Sequence, residues 1–273
     1  MCKSFTLPLI FFLHGIRIIC SFVHVRNFDG SIFDGRWREL FRVLPNSIEA
    51  VHSTICPART WPTGRSPLDP QTHDFYQHNA EEIARRYESA HGGPERLFPQ
   101  IFRKGQTILD IGAGTGRSSA ALLRLGLEVH AVEPVAALRE LAISYHPELA
   151  GRVFAGELPG VLPETGIERY DAILLSAVIM HIPEAELPDV AAAIRDRLVP
   201  GGTLLVSFTV RRGDVAAGAE RDAAGRLMLV RPAGRIRLLF EGVGFSVEGD
   251  WESADGLNRP DVSWQTLCFR HDG

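Results

Sequence analysis

The sequence predicts a doubly wound α/β domain: a mostly parallel seven-stranded sheet with helices on both faces, an antiparallel edge strand, and an irregular N-terminal extension. Three observations carry this. From residue 71 onward, short apolar runs alternate with stretches of helical spacing. The runs are nearly continuous in apolar residues, as strands covered on both faces must be. The last two, 244–249 and 262–269, have no helical stretch between them, so they pair antiparallel at one edge.

The elements follow in order. QTHDFYQHNAEEIARRYESA puts Tyr76, Ala80, Ile83, Ala84 and Tyr87 at helical spacing over 71–91, closed by Gly92-Gly93. Strands are expected at 107–111 (TILDI), 127–132 (LEVHAV), 152–155 (RVFA), 170–176 (YDAILLS) and 203–210 (TLLVSFTV). Helices are expected at 117–125, 135–145, 184–198 and 233–241. No internal repeat or low-complexity tract interrupts the series.

The first 70 residues read differently. FTLPLIFFLHGIRIICSFVHV (5–25) is apolar but holds Pro8, His14, Gly15, Arg17 and His24, and FFL is followed by HGIR rather than a small-residue cleavage site. A membrane span here would carry Arg17 near its centre, at roughly 2.5–3.5 kcal/mol on insertion scales. Residues 57–70 hold four prolines and read as a linker. The expected organisation is an extension over 1–70 and a catalytic or binding domain over 71–273.

The chain has 273 residues and 45% hydrophobic composition, enough for a sizeable core. Its net charge of −4 is uneven. Residues 1–70 carry eight Lys and Arg against five Asp and Glu, and the remainder carries 21 against 28, a net of −7. An acidic body is a poor partner for a nucleic-acid backbone, so no specific binding to duplex is expected. Cys2, Cys20, Cys56 and Cys268 form no CxxC or Cys/His cluster, so neither a zinc site nor a disulfide framework is expected. A cytoplasmic location follows as the default, with no membrane partner.

The chemistry lies in TILDIGAGTGRSSAALL (107–123). A strand ends near Asp110, a turn Gly112-Ala113-Gly114-Thr115-Gly116 follows, and a helix begins. A dinucleotide fingerprint would want its third glycine at 117, which is Arg117 here. An acid two residues before the first glycine suits a ligand with an ammonium group better than a polyphosphate. In VHAVEP, Glu133 ends the next strand, where a carboxylate accepts both hydroxyls of a ribose.

These residues resemble the class I S-adenosylmethionine-dependent methyltransferases, over roughly 71–270. ILDIGAGTGRSS resembles the family's first motif and VEP its ribose-binding acid, and FAGELP (154–159) stands where the family approaches adenine. YDAILLSAVIMHIP (170–183) resembles the fourth strand and its loop, and LVPGGTLLVS (198–207) the fifth strand. The resemblance implies a Rossmann-like fold with S-adenosylmethionine as cofactor. It implies that Gly112, Gly114 and Gly116 let the backbone pass close to the methionine part, with Ala113 and Thr115 in the same turn and Asp110 setting it. Glu133 and Pro134 stand at the ribose, and Gly156, Glu157 and Leu158 near the adenine. Ser176, Ala177 and Val178 close the methionine pocket, while Tyr76 and Tyr87 either lid the site or pack their helix.

Methyl transfer needs alignment and desolvation rather than a nucleophilic triad. A base matters where the acceptor loses a proton, and His181, after the fourth strand, is the candidate. The [DNS]PP[YF] signature of amino-methylating DNA enzymes is replaced by SAVIM. A small-molecule acceptor, methylated on oxygen or nitrogen, is expected. Specificity is expected in 71–91 and 209–235, where Arg211, Arg212, Arg221 and Arg231 either pair with an acidic acceptor or lie on a solvated loop. GLNRPDVSWQTLCF resembles a tail of some bacterial members, in which Arg259 and Trp264 line the acceptor side or close the sheet edge. A non-catalytic binding protein of the same fold and a nicotinamide-dependent dehydrogenase stand as alternatives, the second disfavoured by Arg117.

Overall fold

The computed structural model describes residues 5–13, 16–25, 68–158, 165–216 and 218–273. The chain divides into two units, residues 1–63 and 64–273. In the first, β1 (Phe5–Leu13) and β2 (Ile16–Val25) pair antiparallel, where the sequence suggested irregular chain. The register slips between Leu7 and Leu9, at Pro8, which has no N–H for the ladder. The proline-rich linker expected over 57–70 lies largely outside the described residues.

The second unit runs α1 (Pro70–His78), α2 (Ala80–Glu88), a single-turn α3 (Phe98–Ile101), β3 (Thr107–Ile111), α4 (Arg117–Arg124) and β4 (Glu128–Val132). It continues through α5 (Ala136–Tyr145), β5 (Val153–Phe154), β6 (Tyr170–Ser176), α6 (Leu187–Asp196) and β7 (Leu198–Arg212). Then come α7 (Ala233–Glu241), β8 (Phe245–Ala254) and β9 (Val262–His271). The sheet order is β5-β4-β3-β6-β7-β9-β8. The first five strands are parallel, and β9 runs antiparallel between β7 and the edge strand β8. Sequence order reverses between β3 and β6, and the crevice beyond their carboxyl ends is where such a sheet binds ligands.

The apolar strands feed two layers because successive side chains point to opposite faces. Leu109, Ile111, Ile173, Leu175, Leu204 and Val206 pack with Ile194 of α6 and Phe240 of α7. Ile108, Leu174 and Leu205 pack with Phe98 and Leu122 on the other side.

Three elements depart from the sequence reading. The helix expected over 71–91 is two helices, because Asn79 leaves helical geometry at φ −111° and its amide Nδ2 donates to the Phe75 carbonyl at 2.8 Å. β7 starts at Leu198 rather than 203, with the Pro200-Gly201-Gly202 turn absorbed as a register shift against β6. The body also reaches back past residue 71. Asp69 caps α1 by accepting from Thr72 N at 2.9 Å, and Leu68 N donates to Glu157 Oε2 at 3.3 Å.

Candidate active site

A cavity of about 280 Å³ lies at the carboxyl ends of β3, β4 and β6. Its floor is the glycine turn, whose three glycines do different work. All are left-handed, with φ of +73°, +56° and +77° at 112, 114 and 116. A Cβ on Gly112 would stand 2.4 Å from Val178 Cγ2. One on Gly116 would stand 2.4 Å from Leu149 Cδ1 and 3.2 Å from Ala142 Cβ. One on Gly114 would meet nothing within 4 Å, so this glycine leaves the cavity floor open. Gly116 lies off the wall. Its bareness lets α4 pack on α5, a packing role that the sequence reading did not include.

Two buried acids face this floor. Glu133, at the end of β4, accepts from Gly114 N through Oε2 and from Val135 N through Oε1, both at 2.9 Å. Asp110 accepts from Ser119 Oγ at 2.6 Å. Burial pushes each carboxyl up to about 7, against the opposing pull of those hydrogen bonds. Arg139 donates to the carbonyls of Glu133 and Pro134 rather than to the carboxylate. Among the described residues, then, no cation is bonded to either acid.

Ala113, Thr115, Pro134, Glu157 and Leu158 also stand on the wall, with Ser176, Ala177 and Val178, whereas Gly156 does not. Ala177 is left-handed at φ +61°, a strained setting for a residue with a Cβ, at the point where β6 ends over the cavity. Thr115 Oγ1 donates to Glu88 Oε1 at 2.7 Å, and Arg117, standing where a dinucleotide fold has glycine, donates to Gly92 O at 2.9 Å. These bonds tie α2 and the chain after it to the turn.

The far end of the cavity is built by residues distant in sequence. His181 is buried, and its Nδ1 lies 2.6 Å from the Leu227 carbonyl. A carbonyl only accepts, so Nδ1 carries the proton and Nε2 accepts from the Tyr76 hydroxyl at 3.1 Å. Burial lowers the His181 pKa to about 4. Arg226 Nη1 donates to the same Tyr76 oxygen at 3.2 Å, with its guanidinium 4.7 Å from the Phe75 ring centroid. Tyr76 and Tyr87 both line the cavity, and Tyr76 is a hydrogen-bond partner as well as a packing residue.

The segment after β7 is folded, not a solvated loop. Arg221 forks onto Asp69 at 2.7 and 2.8 Å, and Leu227 N donates to Thr72 Oγ1 at 2.8 Å, which fastens the segment to α1. Arg212 is held by Asp214, and exposed Arg211 donates to the Pro260 carbonyl. Arg231 is buried and donates to Glu184, to Ile179 O and to Ile182 O at 2.7–2.8 Å. It therefore fixes the turn that carries His181. Arg231→Met would strand two carbonyls and half-free Glu184, so we expect a stability loss of about 3 kcal/mol. Denaturant titration checks this, and a loss below about 1 kcal/mol would mean that the turn holds itself.

Arg259 and Trp264 both line the cavity and are both bonded to Asp255, whose carboxyl lies well below the usual range. Burial acts upward on it, and the Arg259 and Trp264 bonds outweigh burial. Sequence reasoning passed over Asp222, Arg226 and Asp255. A common Asp-x-x-x-Arg spacing was the available signal.

Comparison with known proteins decides the family. The family model described as a methyltransferase domain matches residues 71–248. The chain belongs to the class I S-adenosylmethionine-dependent methyltransferases. This methyltransferase is 29% identical over 152 residues to an uncharacterised methyltransferase of Geobacillus kaustophilus, covering 55% of this chain and 69% of that one. It is 37% identical over 100 residues to a protein-L-isoaspartate O-methyltransferase of Bordetella parapertussis, covering 36% of each. The match thus spans about a third of that relative's length. Among solved structures, a TehB-like S-adenosylmethionine-dependent methyltransferase of Corynebacterium glutamicum is similar at TM-score 0.53 and 22% identity, covering 70% of this chain and 97% of that one. The [4+2]-cyclase SpnF is similar at TM-score 0.56 and 16% identity, covering 76% and 98%. At these identities the likeness is one of fold, and a cyclase on the same fold shows that fold alone does not name a reaction. Among the described residues of the methyltransferase, no helix is long and apolar enough to cross a membrane, and no His/Cys/Asp/Glu group is placed to hold a metal.

Proposed function

We propose that the methyltransferase places S-adenosylmethionine on the glycine turn and moves its methyl group to an oxygen or nitrogen of a small molecule. The observation that carries this is the pair of buried acids, Asp110 and Glu133, facing an open glycine floor with no cation bonded to either carboxyl among the described residues. Such a floor fits a ligand that brings an ammonium group and a ribose diol. Glu133 keeps lone pairs for the diol after accepting from Gly114 and Val135. Asp110, Ala113, Gly114 and Thr115 would line the methionine end with Ser176, Ala177 and Val178, and Pro134, Glu157 and Leu158 the nucleoside end. When bound, S-adenosylmethionine supplies an electrophilic methyl on a sulfonium.

The enclosure favours a small acceptor. The segment after β7 is bonded to α1 through Arg221, Arg226 and Leu227, and α2 is bonded to the glycine turn through Glu88, a crowding at the acceptor end that supports a small acceptor. His181 Nε2 already holds Tyr76, so an acceptor O–H or N–H would give its proton to the Tyr76 oxygen while the tyrosine proton passes to Nε2. Nε2 is neutral above its pKa of about 4, so this base works across the neutral range. The rate should therefore hold from pH 8 to about pH 5 and fall below that, not through the ordinary histidine range near 6.5.

Calorimetry with S-adenosylhomocysteine and NAD, followed by turnover on a panel of hydroxyl and amine acceptors, tests the reading. Tight binding of the first and none of the second is expected. His181→Gln should lower turnover at least about tenfold with cofactor affinity nearly unchanged. Full turnover in that variant would reduce His181 to a hydrogen-bond partner of Leu227 and Tyr76.

A further inference from the structure

Two loops far apart in the chain are built alike. One is Asp222-Ala-Ala-Gly-Arg226, between β7 and α7, and the other is Asp255-Gly-Leu-Asn-Arg259, between β8 and β9. In each, the aspartate accepts from the backbone N–H two residues on, Ala224 or Leu257, at 3.1 Å. Each also accepts from the N–H four residues on, Arg226 at 3.1 Å or Arg259 at 3.2 Å. Each takes the arginine's Nε, at 2.8 and 2.9 Å, and its Nη2, at 2.5 and 2.8 Å. In each, the residue before the arginine is left-handed, Gly225 at φ +84° and Asn258 at φ +57°. Those are the residue types that tolerate this conformation.

The result is two guanidiniums locked against their own turns before any ligand arrives. Both stand on the wall of the same cavity, and the Tyr87 phenol interacts electrostatically with both. The aspartates occupy the Nε–Nη2 edge and leave Nη1. Arg226 uses one Nη1 hydrogen on Tyr76, and Arg259 Nη1 has no hydrogen-bond partner among the described residues. Arg212 adds a third guanidinium to this end of the cavity. Each of these guanidiniums is paired with an aspartate, Asp222, Asp255 or Asp214, so what this end of the cavity offers is oriented N–H donors held in place. The turn end of the cavity is lined by the acids Asp110, Glu133 and Glu157, and the arginine there, Arg117, is turned onto Glu95 and the Gly92 carbonyl. A cavity acidic where a cationic cofactor lies and rich in oriented guanidinium N–H at the other end discriminates in favour of an acceptor of opposite charge.

We propose that the twin loops are an anion clamp: the methyl acceptor carries a carboxylate or a phosphate group, held by Arg226 and Arg259, with its nucleophilic atom toward Tyr76. This rests on the small-molecule reading above and narrows it to acidic acceptors.

The test uses the full chain saturated with S-adenosylhomocysteine, titrated calorimetrically with 4-hydroxybenzoate, 4-hydroxyphenyl phosphate and 4-hydroxybenzamide. At least one anion should bind about tenfold or more tightly than the amide, and which one does so tells carboxylate from phosphate. Arg259→Met should erase that preference while S-adenosylhomocysteine still binds. Should Arg259→Met fail to fold, Arg259→Lys decides, since a lysine keeps the charge but not the fork, and the preference should fall at least about threefold. Absence of any anion preference, failure of both anions to bind, or a preference unchanged by the arginine substitutions would overturn the clamp. Failure of the wild type to bind S-adenosylhomocysteine would instead overturn the methyl-transfer reading.

Discussion

A single methyl group at residue 116 should cost the protein about 2–5 kcal/mol of stability, whereas the same methyl at residue 114 should cost about 1–2 kcal/mol and strike ligand binding instead. Both glycines are left-handed, so alanine carries a backbone penalty of about 1–2 kcal/mol at either. The difference lies in what the new Cβ meets. At 116 it meets Leu149 Cδ1 and Ala142 Cβ, both in the fully packed layer between α4 and α5. Leu149 has no exposed surface into which to move, so overpacking adds about 1–3 kcal/mol. At 114 the Cβ enters the cavity floor, where the ligand's own atoms would lie. Urea titration and calorimetry with S-adenosylhomocysteine separate the two effects. Gly116→Ala should unfold at lower urea yet bind within about twofold of wild type, since its contacts lie off the wall. Gly114→Ala should lose about tenfold or more in affinity. Equal affinity in Gly114→Ala and wild type would move the ligand off this turn and remove the main support for the cofactor placement.

How far the sequence could be read follows from which forces are local. Strands covered on both faces write their burial into a continuous apolar run, so β3 and β6 were legible residue by residue, β4 to within one residue, and β7 in its buried centre but not at its ends. The glycine turn and Glu133 were legible because their spacing follows from one strand–turn–helix unit. What the three glycines do was not, because Leu149 and Val178, which set the roles of Gly116 and Gly112, are remote in sequence. The break at Asn79 was missed because a side-chain bond to a carbonyl four residues back leaves the apolar spacing of 71–91 intact. The acceptor end was least legible. Arg221 meets Asp69 across 152 residues and Arg226 meets Tyr76 across 150, and no periodicity encodes such pairs. Charge alone made the segment after β7 resemble a solvated loop. Its Asp-x-x-x-Arg turn, repeated after β8, was the local sign that these arginines are positioned rather than free.

Asp110→Asn should stabilise the ligand-free protein above pH 7 and weaken its hold on the cofactor, separating what the fold prefers from what the function needs. In the native chain the Asp110 carboxyl titrates near 7, because burial and the nearby charges of Glu95 and Glu133 raise it more than the Ser119 bond lowers it. Unfolded, it returns to its ordinary value of 3.8. Between those values the native state keeps a proton that the unfolded state has released, so this group makes stability fall as pH rises from about 4 to about 7, with no further change above. At full strength the cost is on the order of 4 kcal/mol. Asparagine has the same shape, still bonds Ser119, and never ionises. Its melting temperature should therefore match wild type near pH 4 and exceed it by several degrees at pH 8. A cationic group placed beside the carboxylate would reverse the balance by lowering its pKa. Binding of S-adenosylhomocysteine to the wild type near pH 6.5 should then release a proton, seen as a heat that depends on the buffer's ionisation enthalpy. In Asp110→Asn this release should shrink and affinity should fall about tenfold or more. Parallel melting curves for the two proteins from pH 4 to pH 8 would show that Asp110 is ionised at no cost in the native state. Unchanged proton release would assign that proton to Glu133, the other buried acid on the wall.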